Sequence, residues 1–263
     1  MSEGFLTSDT SDTTWIKPFG EEWKEVTYYA VDGLAIFEGC IILGTVTEMQ
    51  AVKHFVQANP GFTAPGVEAF GVGIVGKQFR WKANTLPYEI DPALPDQQRV
   101  HDAIEHWKNN SPMKFVQRDA SNPAHLDYVR FRPGNGCASS VGRRGGRQDV
   151  ILGTACSAGN CIHEIGHTVG LWHEQSRKDR DNFITINWAS IEPAAKHNFD
   201  QHVSDGFDIG AYDYESIMHY PKDAFSANGQ DTIVPKQPGA QIGQRVKLSA
   251  GDIASVQKLI TAP

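Results

Sequence analysis

Three histidines and a glutamate fall within eleven residues of this chain, as His163, Glu164, His167 and His173. On a helix, His163 and His167 would lie one turn apart on the same face, where both imidazoles can bind one metal ion. Gly170 would let the chain leave the helix and turn back, so that His173 can supply a third ligand. Three protein ligands leave the fourth position of a zinc ion open for water or substrate, and Glu164 would stand beside it as a base. The spacing therefore predicts a catalytic zinc (Zn2+) site.

The alternative is an ordinary surface helix, because the five-residue pattern H-E-x-x-H also arises by chance in sequences that bind no metal. The longer pattern in this chain, H-E-x-x-H-x-x-G-x-x-H, fixes a glycine and a third histidine at set distances as well. A surface helix needs neither of these residues, and we therefore prefer the zinc site.

A short segment further along the chain, residues 216–220 (SIMHY), contains two more residues that suit such a site. A tight turn here would place Met218 beneath the metal as an apolar support for the histidines. Tyr220 could bind the metal or stabilise the negative charge that develops on a substrate oxygen. The alternative for both residues is a place in the core without a catalytic role.

Composition divides the chain into two regions. Residues 60–73 consist largely of proline, glycine and small residues, which is typical of an exposed linker that proteases cut. Residues 1–70 contain 3 basic and 10 acidic residues and so carry the whole net charge of −7. We therefore expect an acidic segment, residues 1–72, and a catalytic region, residues 73–263. Neither is basic enough for nucleic-acid binding, and no apolar run is long enough to span a membrane.

The first region is predicted to contain short strands and one helix. Residues 1–14 are rich in serine, threonine and aspartate and are expected to form a flexible tail, and residues 28–42 should form short extended pieces separated by turns. Thr45 and Glu48 have the spacing of a capping box, which predicts a helix that ends by residue 59. Its apolar face would consist of Met49, Val52, Phe55 and Val56.

The second region is predicted to combine strands and helices around the metal motif. We expect the zinc helix over residues 160–169 and a final helix capped by Ser249. An earlier helix would share the apolar residues Val100, Ile104 and Trp107 on one face. Strands are expected at residues 86–90, 113–118, 126–132 and 150–152. This pattern predicts an α+β fold with two lobes and the metal helix at their junction.

The longest motifs resemble those of the astacin family of zinc metalloproteases, a branch of the metzincins. The resembling residues are 163–177 (HEIGHTVGLWHEQSR), 179–182 (DRDN) and 216–220 (SIMHY), and the resemblance extends from about residue 74 to the C-terminal helix. It implies a zincin-like catalytic domain of two lobes, with a twisted mixed sheet and a zinc helix, preceded by a small pro-segment.

The resemblance also implies a role for each matching residue. His163, His167 and His173 would bind zinc, and Glu164 would be the general base. Tyr220 would be a further metal ligand that swings away to stabilise the transition state.

Glu174 follows the third histidine directly. The glutamate at this position in the family is linked to the buried new N-terminus of the mature enzyme. The alternative is a surface carboxylate that pairs with Arg177.

The cysteines agree with the resemblance in part. Astacin-like domains usually have two disulfides, and Cys137 and Cys156 match the positions of one. A bridge that closes a loop of about 20 residues would contribute about 3 kcal/mol and would imply an oxidising compartment. The second disulfide has no partners here, because Cys161 is the last remaining cysteine after residue 156. We expect Cys161 to be a buried apolar thiol.

Cys40 ends the sequence FEGC at residues 37–40, where astacin pro-segments resemble F-x-G-D and the aspartate binds the zinc. A thiolate is also a good zinc ligand, so Cys40 would complete a closed site with the three histidines and keep the chain inactive. The alternatives are a plain buried cysteine and a disulfide with Cys161. In the preferred case, an activating protease would cut near residues 70–73 and release the inhibitory segment.

These features predict a secreted zinc endopeptidase in zymogen form, which acts on proteins or peptides as a monomer. The first residues lack a basic stretch followed by an apolar one, so the protein is either cytosolic or numbered from after its signal peptide, and we prefer the second. A zinc-stapled binding protein without catalysis is the alternative, although merely holding zinc requires neither Glu164 nor Tyr220. A hydrolase of non-peptide amides or esters is a third hypothesis.

Overall fold

The computed structural model describes residues 4–16, 23–59, 77–201 and 208–261. The predicted linker, the expected boundary at residue 72 and the expected cleavage region all lie outside these residues. The division into a pro-segment and a catalytic domain therefore stays a prediction.

Eleven strands and four α-helices are formed by the described residues. The strands are β1 (Ser11–Ile16), β2 (Lys24–Val31), β3 (Leu34–Phe37), β4 (Ile41–Thr45), β5 (Thr85–Ile90), β6 (Lys114–Gln117), β7 (Tyr128–Pro133), β8 (Cys137–Ser139), β9 (Arg147–Leu152), β10 (Ile184–Ile186) and β11 (Ile233–Pro235). The helices are α1 (Val46–Ala58), α2 (Gln98–Asn110), α3 (Ala158–Val169) and α4 (Ala250–Thr261). All four strands and all four helices that the sequence predicts are present.

Nine of these strands form one mixed sheet, in the order β1-β2-β3-β4-β8-β9-β7-β5-β6. Strands β1 to β4 form an antiparallel meander. Strands β6, β5, β7 and β9 run parallel to one another, and β8 is antiparallel to β9. The two groups join where β4 runs parallel to β8, with Ile41 opposite Ser139. The sheet therefore continues from one predicted region into the other, and the α+β fold is confirmed.

The expected flexible tail at residues 1–14 is wrong for the part of it that the structure describes. Strand β1 begins within it at Ser11 and pairs with β2 along its whole length. Thr14 and Ile16 are both fully buried, and the Thr14 hydroxyl donates to the Met49 carbonyl at 2.9 Å. Alternate burial of β-branched residues is the pattern of a half-buried strand, and the polar composition of the tail concealed it.

Helix α1 packs on the meander and begins as the sequence predicts. Thr45 caps it by accepting from the Glu48 amide, and the Glu48 carboxylate accepts in return from the Thr45 amide. Met49 is buried and Val52 half-buried, but Phe55 remains exposed. The expected apolar face is therefore narrower than four residues, because only its N-terminal part reaches the core.

Helices α2 and α3 pack against each other, and α3 also lies against β8 and β9. The Trp107 indole of α2 is fully buried and donates to the Ile162 carbonyl of α3 at 3.0 Å. A second, smaller apolar cluster contains β10 and β11 together with Tyr220. The metal helix belongs to the first cluster and Tyr220 to the second, so the predicted site lies where the two meet.

Helix α4 closes the chain against the main core. Ser249 caps it by accepting from the Asp252 amide at 2.9 Å, and Val256 and Leu259 are buried. None of the helices among the described residues combines the length and the apolar character that a membrane span requires.

Candidate metal centre and active site

Helix α3 presents the first two histidines of the motif side by side. It begins at Ala158, two residues earlier than expected, because Ser157 and Asn160 form a capping box. His163 and His167 lie one turn apart with ring centroids 4.7 Å from each other. Nearly every side chain of the helix is buried, so both imidazoles point into the protein rather than into solvent.

The chain then reverses and delivers the third histidine. Gly170 has a φ of 123°, a conformation that favours glycine, and its amide donates to the Gly166 and His167 carbonyls. This turn brings His173 back over the helix, with its Nε2 atom 3.2 Å from Nε2 of His167. The structure thus places the three histidines together as the sequence predicts.

The outer nitrogens of the first two rings are tied to backbone carbonyls. His163 Nδ1 lies 2.8 Å from the Ile217 carbonyl and His167 Nδ1 lies 2.8 Å from the Leu171 carbonyl. A carbonyl can only accept, so each Nδ1 carries the proton and each Nε2 keeps its lone pair for a metal. Burial holds the pKa of both imidazoles well below 6.5, which keeps them neutral and able to bind a cation.

The third ring has a carboxylate partner instead. Glu38, from the turn between β3 and β4, accepts from His173 Nδ1 at 2.6 Å and from the Ser176 hydroxyl at 3.0 Å. Its side chain is fully buried. Sequence reasoning assigned Glu38 only to a turn, although its place two residues before Cys40 was a signal that it would reach the same site. A carboxylate behind a metal-binding histidine orients the ring and raises its basicity.

Cys40 occupies the centre of this arrangement. Its Sγ lies 3.7 Å from Nε2 of His163, 3.4 Å from that of His167 and 3.2 Å from that of His173. Among the described residues, these four side chains form the group that could hold a metal ion. Zinc bond lengths of about 2.0 Å to nitrogen and 2.3 Å to sulfur give edges of about 3.3–3.6 Å in a tetrahedral site. The residues present therefore fit a zinc ion.

The position of Cys40 among the histidines excludes the alternative of a disulfide with Cys161. Cys161 is buried elsewhere on α3 and neither cysteine belongs to a disulfide, so Cys40 and Cys161 are not bridged. Burial raises the pKa of the Cys161 thiol to about 12, which suits the apolar thiol expected from the sequence. The Cys137–Cys156 disulfide that the resemblance implies is present.

Met218 lies under the metal helix, as the sequence predicts. It is 1% exposed, and a Cβ added to Gly166 would lie 2.5 Å from its sulfur atom. The Asp252 carboxylate holds this turn by accepting from the Ser216 hydroxyl and from the Ile217 amide. The same turn supplies the carbonyl that fixes His163, so the methionine turn and the metal helix are coupled.

Tyr220 stands next to the candidate metal ligands, but its hydroxyl is turned to the N-terminal region. Its ring centroid is 4.6 Å from that of His173, and its hydroxyl donates to the Glu38 carbonyl at 2.6 Å. The residue is fully buried. In this form of the chain, Tyr220 is thus held by the segment that also carries Cys40.

Glu164 lies on α3 beside the first ligand, with 1% of its surface exposed. Its backbone carbonyl accepts from the Ser139 hydroxyl of β8 at 2.8 Å and from the Thr168 hydroxyl at 3.0 Å. The Ser139 bond fastens the helix to β8 at the level of the site, whereas the Thr168 bond lies within α3. The carboxylate is outside the group of metal ligands, which leaves it for another task.

Glu174 is mostly enclosed. The alternative of a surface carboxylate paired with Arg177 is therefore wrong about the surface position, although the pairing is present. The Glu174 side chain is 15% exposed and lies 3.6 Å from the Arg177 guanidinium. Its carboxylate also accepts from the Asp213 amide at 2.8 Å. Burial raises its pKa to about 8, against the opposing effect of Arg177.

The sequence of residues 74–261 matches the family described as Astacin, a family of peptidases. The chain belongs to the astacin family. Metalloproteases of this family bind zinc, and the group of three histidines and one cysteine is a donor set that suits this metal. The family assignment made from the three motifs is thereby confirmed.

Individual relatives agree with the family match. The chain is 37% identical over 232 residues to zinc metalloproteinase nas-13 of Caenorhabditis elegans, which covers 86% of this chain and 50% of that protein. It is 39% identical over 191 residues to zinc metalloproteinase nas-4 of the same organism, covering 70% of this chain and 60% of that protein. The chain thus spans about half to three fifths of the length of these relatives.

Among solved structures, the fold resembles high choriolytic enzyme 1, a hatching enzyme zinc-protease from Oryzias latipes. The TM-score is 0.61 at 33% sequence identity, and the match covers 70% of this astacin-family chain and 91% of that chain. The two-lobed zinc-protease fold expected from the sequence is therefore confirmed.

Proposed function

We propose that this chain is a secreted zinc endopeptidase in its latent form, which hydrolyses peptide bonds of proteins or peptides once its N-terminal segment is removed. The observation that carries the proposal is a group of three Nε2 atoms and one sulfur atom that could hold a metal ion. Glu164 directly follows His163 in the chain but does not belong to this group. Histidines alone would suffice to hold a metal. A buried carboxylate that is adjacent to the ligands and is not one of them has a use in catalysis.

In the active form, Glu164 is the general base and then the general acid. It takes a proton from the attacking water as the water oxygen bonds to the scissile carbonyl carbon. It returns that proton to the amine nitrogen as the C–N bond breaks. Tyr220 donates a hydrogen bond to the oxyanion that forms on the carbonyl oxygen. A bound zinc ion supplies Lewis-acid chemistry, polarising the carbonyl and bringing the pKa of water to about 7.

Latency follows from Cys40 in the fourth ligand position. With three histidines and a thiolate, the donor set is closed and leaves no position for water. Tyr220 is at the same time bonded to the Glu38 carbonyl and so is not available to an oxyanion. One short stretch of the N-terminal segment thereby blocks both the fourth ligand position and the Tyr220 hydroxyl.

The same segment also covers the sheet edge that a substrate backbone would use. The Ser139 amide of β8 donates to the Cys40 carbonyl at 2.9 Å, and the Cys137 amide donates to the Gly4 carbonyl at 2.9 Å. Extended peptides bind proteins by adding to such an exposed strand edge. While Gly4 and Cys40 remain in place, the amides of Cys137 and Ser139 are not available to a substrate.

Activation requires cleavage after the segment, and we place it near residues 70–73. The new N-terminus would then reach Glu174, whose carboxylate accepts from the amide of Asp213. Asp213 also lines a cavity of about 290 Å³. An enclosed carboxylate is stabilised by an ammonium partner. Secretion is supported by the Cys137–Cys156 disulfide, which persists in oxidising compartments.

The test is to treat the intact chain with a chymotrypsin- or elastase-like protease, because residues 54–76 contain no lysine or arginine, then to inhibit that protease and follow casein cleavage. The intact chain should be silent, and activity should appear together with release of the N-terminal segment and disappear on addition of a chelator. Zinc that stays bound while no peptide bond is cleaved at any stage would reject the endopeptidase and favour a zinc-stapled binding protein. Cleavage of small amides or esters but no peptide in a library would assign a different hydrolase.

A further inference from the structure

Phe5 belongs to the stretch that the sequence indicated to be a tail, yet it is anchored beside the metal centre. Its ring stacks on Phe225 with centroids 4.5 Å apart and rings inclined by 14°. It also lies 5.0 Å from the ring of Tyr220. The stretch around it is fixed on both sides, because the Gly4 carbonyl accepts from the Cys137 amide and the Leu6 amide donates to the Gly39 carbonyl at 2.7 Å.

The surface under Phe5 is built by the catalytic region itself. Phe225, Tyr220 and Phe199 face one another, with centroids of Phe199 at 5.9 Å from Tyr220 and at 6.0 Å from Phe225. We call these three rings the aromatic pocket. Their packing includes edge-on contacts, the arrangement that aromatic rings prefer.

Phe225 is held in this pocket at some conformational cost. Its φ is 53°, a left-handed value that bulky residues rarely adopt. Its carbonyl accepts from the Glu192 amide at 3.0 Å, and neighbouring Ser226 bridges to Ile191. Strain of this kind persists where the surroundings impose it and is concentrated at functional sites.

The pocket adjoins the reacting centre rather than a remote surface. Tyr220 forms one wall of it and is also 4.6 Å from the ring of the metal-binding His173. The backbone of the bound stretch meets β8 through the Cys137 amide, in the manner of a peptide added to a sheet edge. Gly4 and Phe5 together thus show two properties of a bound substrate, because the Gly4 carbonyl bonds to the edge strand and the Phe5 side chain enters the pocket.

We infer that the aromatic pocket is a substrate subsite that selects an aromatic side chain, and that Phe5 fills it in the latent chain. The inference rests on the proposed function, because a subsite has meaning only in a peptidase. In peptides that add to a sheet edge, the backbone bonds supply affinity and the side-chain pockets supply specificity. Once the N-terminal segment leaves, Phe5 leaves with it and the three rings become open to a substrate.

The first experiment compares the activated wild-type chain with the activated Phe225→Ala variant on peptides that carry phenylalanine or alanine at successive positions. At one position the wild type should prefer phenylalanine, and Phe225→Ala should lose about 5- to 10-fold of kcat/KM on that peptide. The alanine peptide is the matched control, and the readout is the ratio of kcat/KM for the two peptides, which should fall about 5- to 10-fold in the variant. A circular-dichroism spectrum that matches that of the wild type shows that the variant is folded.

The second experiment needs no turnover. A synthetic peptide of residues 1–16 and its Phe5→Ala version are titrated into the activated chain by calorimetry, and the first should bind about 5- to 10-fold more tightly. Equal binding, together with cleavage that ignores aromatic residues, would overturn the subsite and leave the endopeptidase intact. A difference in binding without cleavage of any peptide would instead reject the endopeptidase while the pocket remains an aromatic binding site.

Discussion

At the scale of single residues, the metal centre depends on where protons and lone pairs are placed. Backbone carbonyls accept from the outer nitrogens of His163 and His167, and the Glu38 carboxylate accepts from His173. Each inner nitrogen is thereby left to bind a metal. The fourth donor is the sulfur atom of Cys40, which can bind a metal as a thiolate.

Cys40→Ala should weaken latency, so that the intact chain gains partial activity although its N-terminal segment still covers β8 and Tyr220. An alanine cannot bind zinc, so the fourth position becomes available to water and the intact chain should cleave itself or casein without added protease. Cys161→Ala is the matched control, because this thiol is buried away from the metal and its loss should leave the chain latent. A Cys40→Ala chain that is as silent as the parent, with zinc on three histidines, would show that the thiolate does not act as the latch.

Glu164→Ala should separate zinc binding from turnover. The carboxylate is outside the donor set, so the zinc content measured by atomic absorption should not change. Loss of a general acid and base should lower kcat of the activated enzyme by at least about 100-fold. If zinc were lost instead, Glu164 would have a structural role, and the assigned proton transfers would be wrong.

At the scale of elements, the helix that carries the site is fixed at both ends. Ser157 and Asn160 satisfy the first amides of α3, and Gly170 ends it with a backbone conformation suited to glycine. The Met218 turn then packs against Gly166, where any larger residue would collide with the sulfur atom. A helix held in this way presents its two histidines to the metal with little freedom.

Ser157→Ala should destabilise the whole chain by about 1 kcal/mol, since it removes the side chain that accepts from the Asn160 amide. Thr45→Ala removes the equivalent cap of α1 and offers a matched comparison. Urea unfolding before and after activation measures both. Ser157→Ala should weaken both forms, whereas Thr45→Ala should weaken only the latent one, since α1 leaves with the segment. Equal effects of Thr45→Ala on the two forms would indicate that the segment remains bound after cleavage.

Elements were predictable where a local pattern defines them. The zinc helix, its glycine end and the capping box at Thr45 are each written in a few neighbouring residues, and the structure places them as expected. Strand β1 was missed because its polar residues concealed the alternation of Thr14 and Ile16. The role of Glu38 was missed for another reason. Its partners are more than a hundred residues away in the chain, and its place two residues before Cys40 indicates the site but not which groups it contacts there.

At the scale of the whole molecule, the N-terminal segment is part of the architecture. Its meander continues the sheet of the catalytic region through the pairing of β4 with β8. The turn between β3 and β4 is thereby aimed at the metal, with positive φ values of 47° at Glu38 and 69° at Gly39. The edge of β8, the candidate metal ligands and Tyr220 are therefore all contacted by this one segment, so under the proposed function a single cleavage would expose them together.

Glu38→Ala tests this coupling, because Glu38 reaches the metal centre from a segment that activation removes. Without the carboxylate, the outer nitrogen of His173 loses its acceptor, and the zinc affinity of the latent chain should fall about 10- to 100-fold in competition with a chelator. Glu38→Gln retains an oxygen that can accept and should lose less. After cleavage and removal of the segment, all three proteins should have the same zinc affinity and the same kcat, since residue 38 is gone. A difference that persists in the activated enzymes would mean that the segment stays bound, and equal affinities in the latent chains would mean that Glu38 does not support the metal.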